Sequence, residues 1–299
     1  MTQRRLITLS LITVLLLGCS KPMRLETPQP PAPAAAAPLP PAPIKVQITL
    51  LPQPLEARTR LHPTEAVAMV DAALGFGLGD RYNSNAILTT RDGGVTWVKV
   101  GVLPDDGPPW HNSWGWDARG VSFVNDREGW AVSPGGHLLH TTDGGKQWQP
   151  VNLPPGATTP VRVRFATPQK GCVQVDDQRM SVWWSMNGGT TWESYPGPGS
   201  IVGCARILAG TFGAAWDADY FNLLEARTDG LVLLTHVHGV PSTISASLDD
   251  GQHSQEYLWP GPLNLKAISF GTQKTGVALR SDRRLLFTKD GGATWQEAE

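Results

Sequence analysis

Five times this chain repeats an eight-residue cassette of the form Ser/Thr-x-Asp-x-Gly-x-Thr-Trp, and no other feature limits its fold so tightly. The good copies are Thr90–Trp97 (TRDGGVTW), Thr141–Trp148 (TTDGGKQW), Ser185–Trp192 (SMNGGTTW) and Thr288–Trp295 (TKDGGATW). A worn copy, fourth in chain order, is Ser247–Ser254 (SLDDGQHS). Each cassette lies between runs that read as strands, so it is a hairpin connection. The Gly-Gly pair supplies the positive φ angles that branched residues resist. The Asp carboxylate folds back onto the N–H groups of its own turn, and Asn187 can do the same with an amide oxygen. Thr and Trp then open the outgoing strand. The copy at Asp249 lacks both and is expected to be the loosest turn.

A longer unit surrounds the cassette. Val121-Ser122-Phe123, Gly129-Trp130-Ala131-Val132 and Gly136-His137-Leu138-Leu139 lead to Asp143. Ile268-Ser269-Phe270, Gly276-Val277-Ala278-Leu279 and Leu285-Leu286-Phe287 lead to Asp290. Val163-Arg164-Phe165 and Gly171-Cys172-Val173 precede Asn187, and a more divergent Gly75-Phe76-Gly77-Leu78 precedes Asp92. Three short apolar runs plus the strand after Trp make a four-stranded blade. The expected fold is therefore an all-β propeller. Successive Asp/Asn positions 92, 143, 187, 249 and 290 are 51, 44, 62 and 41 residues apart, against roughly 40–50 residues for a blade. Five blades is the first expectation. Six is the second, if the long interval holds a blade without a cassette around Ala205–Leu234.

The N-terminus stands apart. Arg4 and Arg5 precede an apolar run, Leu6 to Leu17, that is too short to span a bilayer and reads as a signal peptide over residues 1–18. Leu16-Leu17-Gly18-Cys19 resembles a bacterial lipobox, which implies a diacylated Cys19 as the mature N-terminus. Ser20 lacks the Asp of inner-membrane retention, so a Gram-negative host would place the protein on the outer membrane, facing the periplasm. Residues 19–43 form the lipidated end and a Pro/Ala-rich tether; at ~3.1 Å per residue it could hold the globular part roughly 80 Å from the bilayer. The propeller domain is read as residues 44–299. Ile44–Leu51 alternates apolar and polar residues and suggests a half-buried strand, a candidate to close the ring. Setting Arg4 and Arg5 aside leaves 23 basic against 26 acidic residues, a net charge near −3. That balance argues against a nucleic-acid partner.

Cys172 and Cys204 each follow a glycine in strand-like runs. In an exported protein they are either a disulfide or two separately buried thiols, and the sequence leaves both open. Pro108–Asp117 (PPWHNSWGWD) exceeds what a blade needs; Trp110, His111, Trp114, Trp116 and Asp117 form a candidate binding surface, with Trp216 as a second. Burial of these rings in a blade seam is the alternative. His236-Val237-His238 lacks a third ligand nearby, so no metal is expected, nor any other cofactor.

The cassettes resemble Asp-box (BNR) repeats of sialidase-like propellers. That resemblance implies that each box joins the third and fourth strands of a blade and is structural, with Asp92, Asp143, Asn187, Asp249 and Asp290 in the turns and Trp97, Trp148, Trp192 and Trp295 beside them. The family's arginine-Ile-Pro opening is absent, and Tyr82, Tyr195, Tyr220 and Tyr257 sit in no recognisable catalytic context. From about Ala66 to Trp295 the long unit is similar to the photosystem II assembly and stability factor family. That implies a non-catalytic scaffold that presents loops to an envelope or membrane protein client. A carbohydrate-binding or glycan-cleaving propeller is the alternative.

Overall fold

The computed structural model describes residues 42–51, 61–104, 120–133, 135–157, 159–177, 181–194, 204, 221–226, 229–236, 243–249, 253–260 and 265–298. Residues 1–18 and most of the tether, with Cys19, lie outside the described residues, as do the Trp110–Asp117 stretch and Trp216.

The N-terminal segment contributes β1 (Ile44–Lys45) and β2 (Gln47–Leu51). Five antiparallel four-stranded units follow. The first is β3 (Ala66–Met69), β4 (Gly75–Leu78), β5 (Ala86–Thr90) and β6 (Val98–Val102). The second is β7 (Gly120–Phe123), β8 (Gly129–Val132), β9 (Leu138–Thr141) and β10 (Gln149–Pro150). The third is β11 (Pro160–Phe165), β12 (Gly171–Val175), β13 (Val182–Ser185) and β14 (Glu193–Ser194). The fourth is β15 (Phe221–Ala226), β16 (Val232–His236), β17 (Thr243–Ser247) and β18 (Gln255–Leu258). The fifth is β19 (Leu265–Phe270), β20 (Gly276–Arg280), β21 (Leu285–Thr288) and β22 (Thr294–Ala298). This is a five-bladed β-propeller. The six-blade alternative fails because Phe221–Ala226 and Val232–His236 are the first two strands of the blade that carries the worn cassette. Strands β3, β7, β11, β15 and β19 lie innermost: β3 touches β7 and β19, β7 touches β11, and β15 touches β19.

Every cassette joins the third and fourth strands of its blade. In the first, Thr90 Oγ1 donates to Asp92 Oδ1 at 2.8 Å and accepts the Gly94 N–H at 2.9 Å. Asp92 in turn accepts the Thr96 N–H at 2.9 Å and its hydroxyl at 2.6 Å. The two glycines take φ of 74° and 95°, the left-handed region in which a Cβ is strained. The first glycine's N–H reaches Ala73 O, in the turn between the first two strands of the same blade, and Gly144, Gly188 and Gly291 reach Arg127, Gln169 and Lys274 O likewise. The second glycine faces the preceding blade: a Cβ on Gly94 would stand 3.0 Å from Phe287, and one on Gly145 2.8 Å from Ile87. Thus the first two turns each clamp their own blade and meet its neighbour. In the worn copy His253 takes over the Thr role, with its N–H 2.9 Å and Nδ1 2.6 Å from Asp249. Asp249 therefore keeps its clamp, which the expectation of a loose turn did not foresee.

The core is divided among the seams between blades. Trp148 packs with Phe76 and Phe123 between the first two blades, Trp192 with Trp130 and Phe165 between the second and third. Trp295 joins the fourth to the fifth, and Trp97 the fifth to the first. Phe76 stacks on Phe123 and Trp130 on Phe165, with centroids 3.6 Å apart in each pair. In the second, third and fifth blades a Phe lies over the glycine directly opposite it: Phe123↔Gly129, Phe165↔Gly171 and Phe270↔Gly276.

Ile44–Leu51 does not close the ring by completing a blade. It splits at Val46: β1 pairs in parallel with β18, and β2 in parallel with β22, each as a fifth, outermost strand. Val46, only 5% exposed, is the step between them, its N–H on Leu258 O. The segment is a strap across the outer edges of the last two blades. The fifth blade draws all four of its own strands from the C-terminal end of the chain.

Candidate functional site

Along β11 the side chains alternate. Val161, Val163 and Phe165 enter the core between the second and third blades. Arg162 and Arg164 therefore lie on the opposite face of the strand. In β12, Val173 and Val175 share that core with β11, so Cys172 and Gln174 lie on the same opposite face as the arginines. The ladder pairs Arg164 with Cys172 and Arg162 with Gln174. At the equivalent positions the other blades carry seam-forming groups. Ser122 and Ser269 stand where Arg164 does; Phe76, Trp130 and Val277 stand where Cys172 does. The fourth blade also has Ser254 in place of the cassette Trp. The third blade thus presents two guanidinium groups, an amide and a sulfur on a face where the second and fifth carry a serine hydroxyl with Trp130 or Val277.

These groups open into a cavity of about 130 Å³ on the axis, lined by the inner strands β3, β7, β11 and β19, by Cys172 and Gln174 of β12, and by Cys204. Cys172 and Cys204 are set against each other with Cα atoms 5.7 Å apart, a spacing that a disulfide can bridge. Across the cavity Lys266 of β19 pairs with Glu65, just ahead of β3, at 2.5 Å. Lys266 sits in a register irregularity between Leu265 and Ala267, as such bulges re-aim a side chain. Among the described lining residues Arg162, Arg164 and Lys266 share the cavity wall with Glu65. Burial, and then the charge of Arg164, push the Arg162 guanidinium down to about 10, so it stays charged at neutral pH. A wall of this kind suits a carboxylate, which a guanidinium holds through paired, charge-assisted hydrogen bonds.

The structure places the Asp-box residues in turns and seams and brings none of them to this cavity. Asp92, Asp143, Asn187, Asp249 and Asp290 bind their own turns, and Trp97, Trp148, Trp192 and Trp295 are buried. Trp110, His111, Trp114, Trp116, Asp117 and Trp216 lie outside the described residues. Arg162, Arg164 and Gln174 were not singled out from sequence. Their signal was present, in that Arg164 stands where the second and fifth units carry the Ser of a Val/Ile-Ser-Phe triplet. Among the described residues no group of three or more His, Cys, Asp and Glu is placed to hold a metal ion.

Fold and cassettes together define an Asp-box β-propeller. The family described as photosynthesis system II assembly factor YCF48 matches residues 56–221, and the chain belongs to that family. Over 163 residues it is 27% identical to the chloroplastic photosystem II stability/assembly factor HCF136 of Oryza sativa subsp. japonica, covering 54% of this chain and 36% of that protein. The Arabidopsis thaliana counterpart is 26% identical over 159 residues, 52% of this chain and 37% of that one. The chain thus spans little more than a third of the length of the curated relatives it matches. The solved structure "YCF48 bound to D1 peptide" is similar over 80% of this chain and 83% of that one, with 19% identity and a TM-score of 0.43.

Proposed function

We propose that this protein is an exported lipoprotein that acts as a non-catalytic assembly scaffold for a membrane-protein client, held in part through Arg162 and Arg164. Membership of the YCF48 family over residues 56–221 is the observation that carries this reading. The curated relatives are named stability/assembly factors of photosystem II. The client proposed for this chain is an assembly intermediate with an acidic extracytoplasmic segment, the counterpart to two arginines on a cavity wall. Trp110, Trp114, Trp116 and Trp216 are proposed to add apolar contact with the same client. Cys19 carries the lipid, and residues 19–43 tether the propeller to the outer membrane of a Gram-negative envelope.

The test is crosslinking and affinity capture from the native envelope. The wild-type chain is expected to retain a membrane protein that the Arg162→Gln/Arg164→Gln variant releases. Equal capture by both would remove the arginines from the reading, and turnover of a chromogenic glycoside would overthrow the scaffold itself. Palmitate labelling that persists in Cys19→Ser would remove the anchor.

A further inference from the structure

The strap fixes the end at which the chain enters the propeller. Ala42 O accepts the side-chain amide of Gln255 at 2.9 Å, and Gln255 opens β18 directly after the worn cassette. From there Ile44 pairs in parallel with Tyr257, so the chain runs away from the cassette. Its second leg repeats the course: Gln47 starts level with Thr294, inside the fifth cassette, and runs alongside β22. The chain therefore joins the propeller at its cassette end, on the fourth blade.

That end also gathers apolar side chains. Of the six large hydrophobic residues exposed among the described residues, Val95, Val98, Met186 and Leu248 lie here. Three of them stand at the second or sixth residue of a cassette, which the turn leaves pointing outward while it folds the Asp back and buries the Trp. Met186 and Leu248 are each 55% exposed and Val95 is 60% exposed. The same two positions carry the exposed cations Arg91, Lys146 and Lys289 in other copies, and no carboxylate in any copy. The cassette carboxylates are turned into their own N–H groups, and Asp126 lies 4.0 Å from Arg91. Apolar tips interspersed with long cationic chains suit the boundary between lipid headgroups and acyl chains, where the tips insert and the cations reach phosphates.

We propose that the cassette end of the propeller rests on the lipid surface that holds its anchor, with Val95, Met186 and Leu248 as the inserted tips; this rests on the reading of Cys19 as the lipidated residue. Three tips are too few to recruit a free protein to a bilayer. An anchored one meets the bilayer as an intramolecular event at high effective concentration, so weak contacts suffice to orient it. Ala42 is 23 residues beyond Cys19 and sits on the blade that carries Leu248, beside the blade that carries Met186. The cavity lies at the other end, among the first residues of β3, β7 and β19, and is directed away from that surface.

The experiment reconstitutes the full lipidated chain in vesicles of equal parts phosphatidylethanolamine and phosphatidylglycerol, doped with doxyl-labelled phosphatidylcholine as quencher. An NBD fluorophore is placed on one introduced cysteine: Leu248→Cys, Val95→Cys or Tyr82→Cys. Cys172 and Cys204 are buried and a lipidated Cys19 has no thiol, so the introduced cysteine takes the label. Tyr82 is the control, 85% exposed in the loop between β4 and β5 at the opposite end of its blade. Quenching should be at least about threefold stronger at the Leu248 and Val95 positions than at Tyr82. Equal quenching at all three, or none at any, would overturn the proposal. Met186→Glu/Leu248→Glu changes only exposed tips, and it should weaken quenching at the Val95 position at least about threefold. Unchanged quenching there would remove the tips from the contact. Flotation scores the anchor separately. A wild-type chain that does not float with the vesicles, or Cys19→Ser floating equally, would overturn the anchor reading and this proposal with it. A floating chain with an unquenched Leu248 position would overturn the docking face and leave the anchor standing. NBD emission at Leu248 that changes with protein concentration in the absence of vesicles would assign the tips to a second copy and sink the lipid contact.

Discussion

Ser269 of the last blade accepts the backbone N–H of Met69 in the first at 2.8 Å, across 200 residues of chain, and so ties the ring shut at its inner strands. Ser122 does the same for Phe165 N–H at 2.9 Å, between the second and third blades. Both hydroxyls sit in the middle of a Val/Ile-Ser-Phe triplet, on the face turned toward the next blade. Closure therefore needs no strand exchanged between the chain ends. It uses this bond, the Lys266–Glu65 ion pair beside it, and the packing of Trp97 on Val277 and Leu279.

Ser269→Ala removes the acceptor and leaves the Met69 N–H buried without it, a loss of about 1–3 kcal/mol. Urea unfolding should show a midpoint lowered accordingly, and Ser122→Ala should behave alike. Because the two serines serve different seams, the double variant should lose about the sum of the two single losses. Unchanged midpoints would show that packing alone closes the ring.

Acid should loosen the blades through the cassette aspartates. The backbone and side-chain bonds from His253 hold Asp249 down to about 2. Asp143 is lowered first by the Gln147 N–H. For Asp92 and Asp290 burial alone would raise the carboxyl, but the bonds from Thr96 and Thr90, and from Thr294 and Thr288, outweigh it and the net shift is downward. A carboxyl depressed on folding adds stability that is complete above its unfolded value of about 3.9 and is lost as pH falls through the folded value. Thermal midpoints should therefore stay level near neutrality and drop between about pH 4 and pH 2. Asp249→Asn should flatten part of that drop while lowering stability at pH 7. A curve indifferent to Asp249→Asn would show that this turn does not drive acid unfolding.

Gly129 tests the glycine under the ring. A Cβ there would lie 2.4 Å from Phe123, closer than real contacts allow. Phe123 is held in turn by Phe76 on its other side, so it cannot move away cheaply. Gly129→Ala should cost about 1–3 kcal/mol from overpacking. Pairing it with Phe123→Leu should recover part of the loss attributable to the clash, measured as a double-mutant cycle. Strict additivity would refute the clash as its source.

The blades were legible because their signals are local. A Gly-Gly pair with positive φ and an Asp that binds N–H groups four residues on are written within eight residues. The spacing of Phe123, Gly129 and Trp130 could be read as a unit, though not the stacking of one blade's ring on the next. The arginine site was harder. Arg162 and Arg164 matter because they line the cavity while Val161 and Val163 enter the core, and strand alternation says which residues share a face without saying what lies opposite. Only the comparison of Arg164 with Ser122 and Ser269, and of Cys172 with Phe76 and Trp130, marks the third blade as the exception. For Ile44–Leu51 the alternation was visible, but nothing local names the strand edge it pairs with.

That strap carries the last prediction. An outer strand of a blade exposes a row of N–H and C=O groups, and β1 and β2 satisfy such rows on β18 and β22. The step between them is Val46, packed in the same cluster as Trp259, Trp295 and Ile268. Val46→Asp would bury a charge there, which costs several kcal/mol unless the strap lifts away. Lifting is the cheaper outcome, since β1 pairs with β18 over two residues and β2 with β22 over five. Hydrogen exchange in the variant should then quicken at the amides of β22 that face β2, from Thr294 to Ala298. The short edge strand β14 gains no fifth strand from the N-terminal segment, so its amides should exchange as in the wild type. Quickening confined to β22 and β18 would identify the strap as a separable clasp. Equal quickening in β14 would mean that the strap is part of one cooperative fold, and no change in β22 would mean that it does not protect that edge.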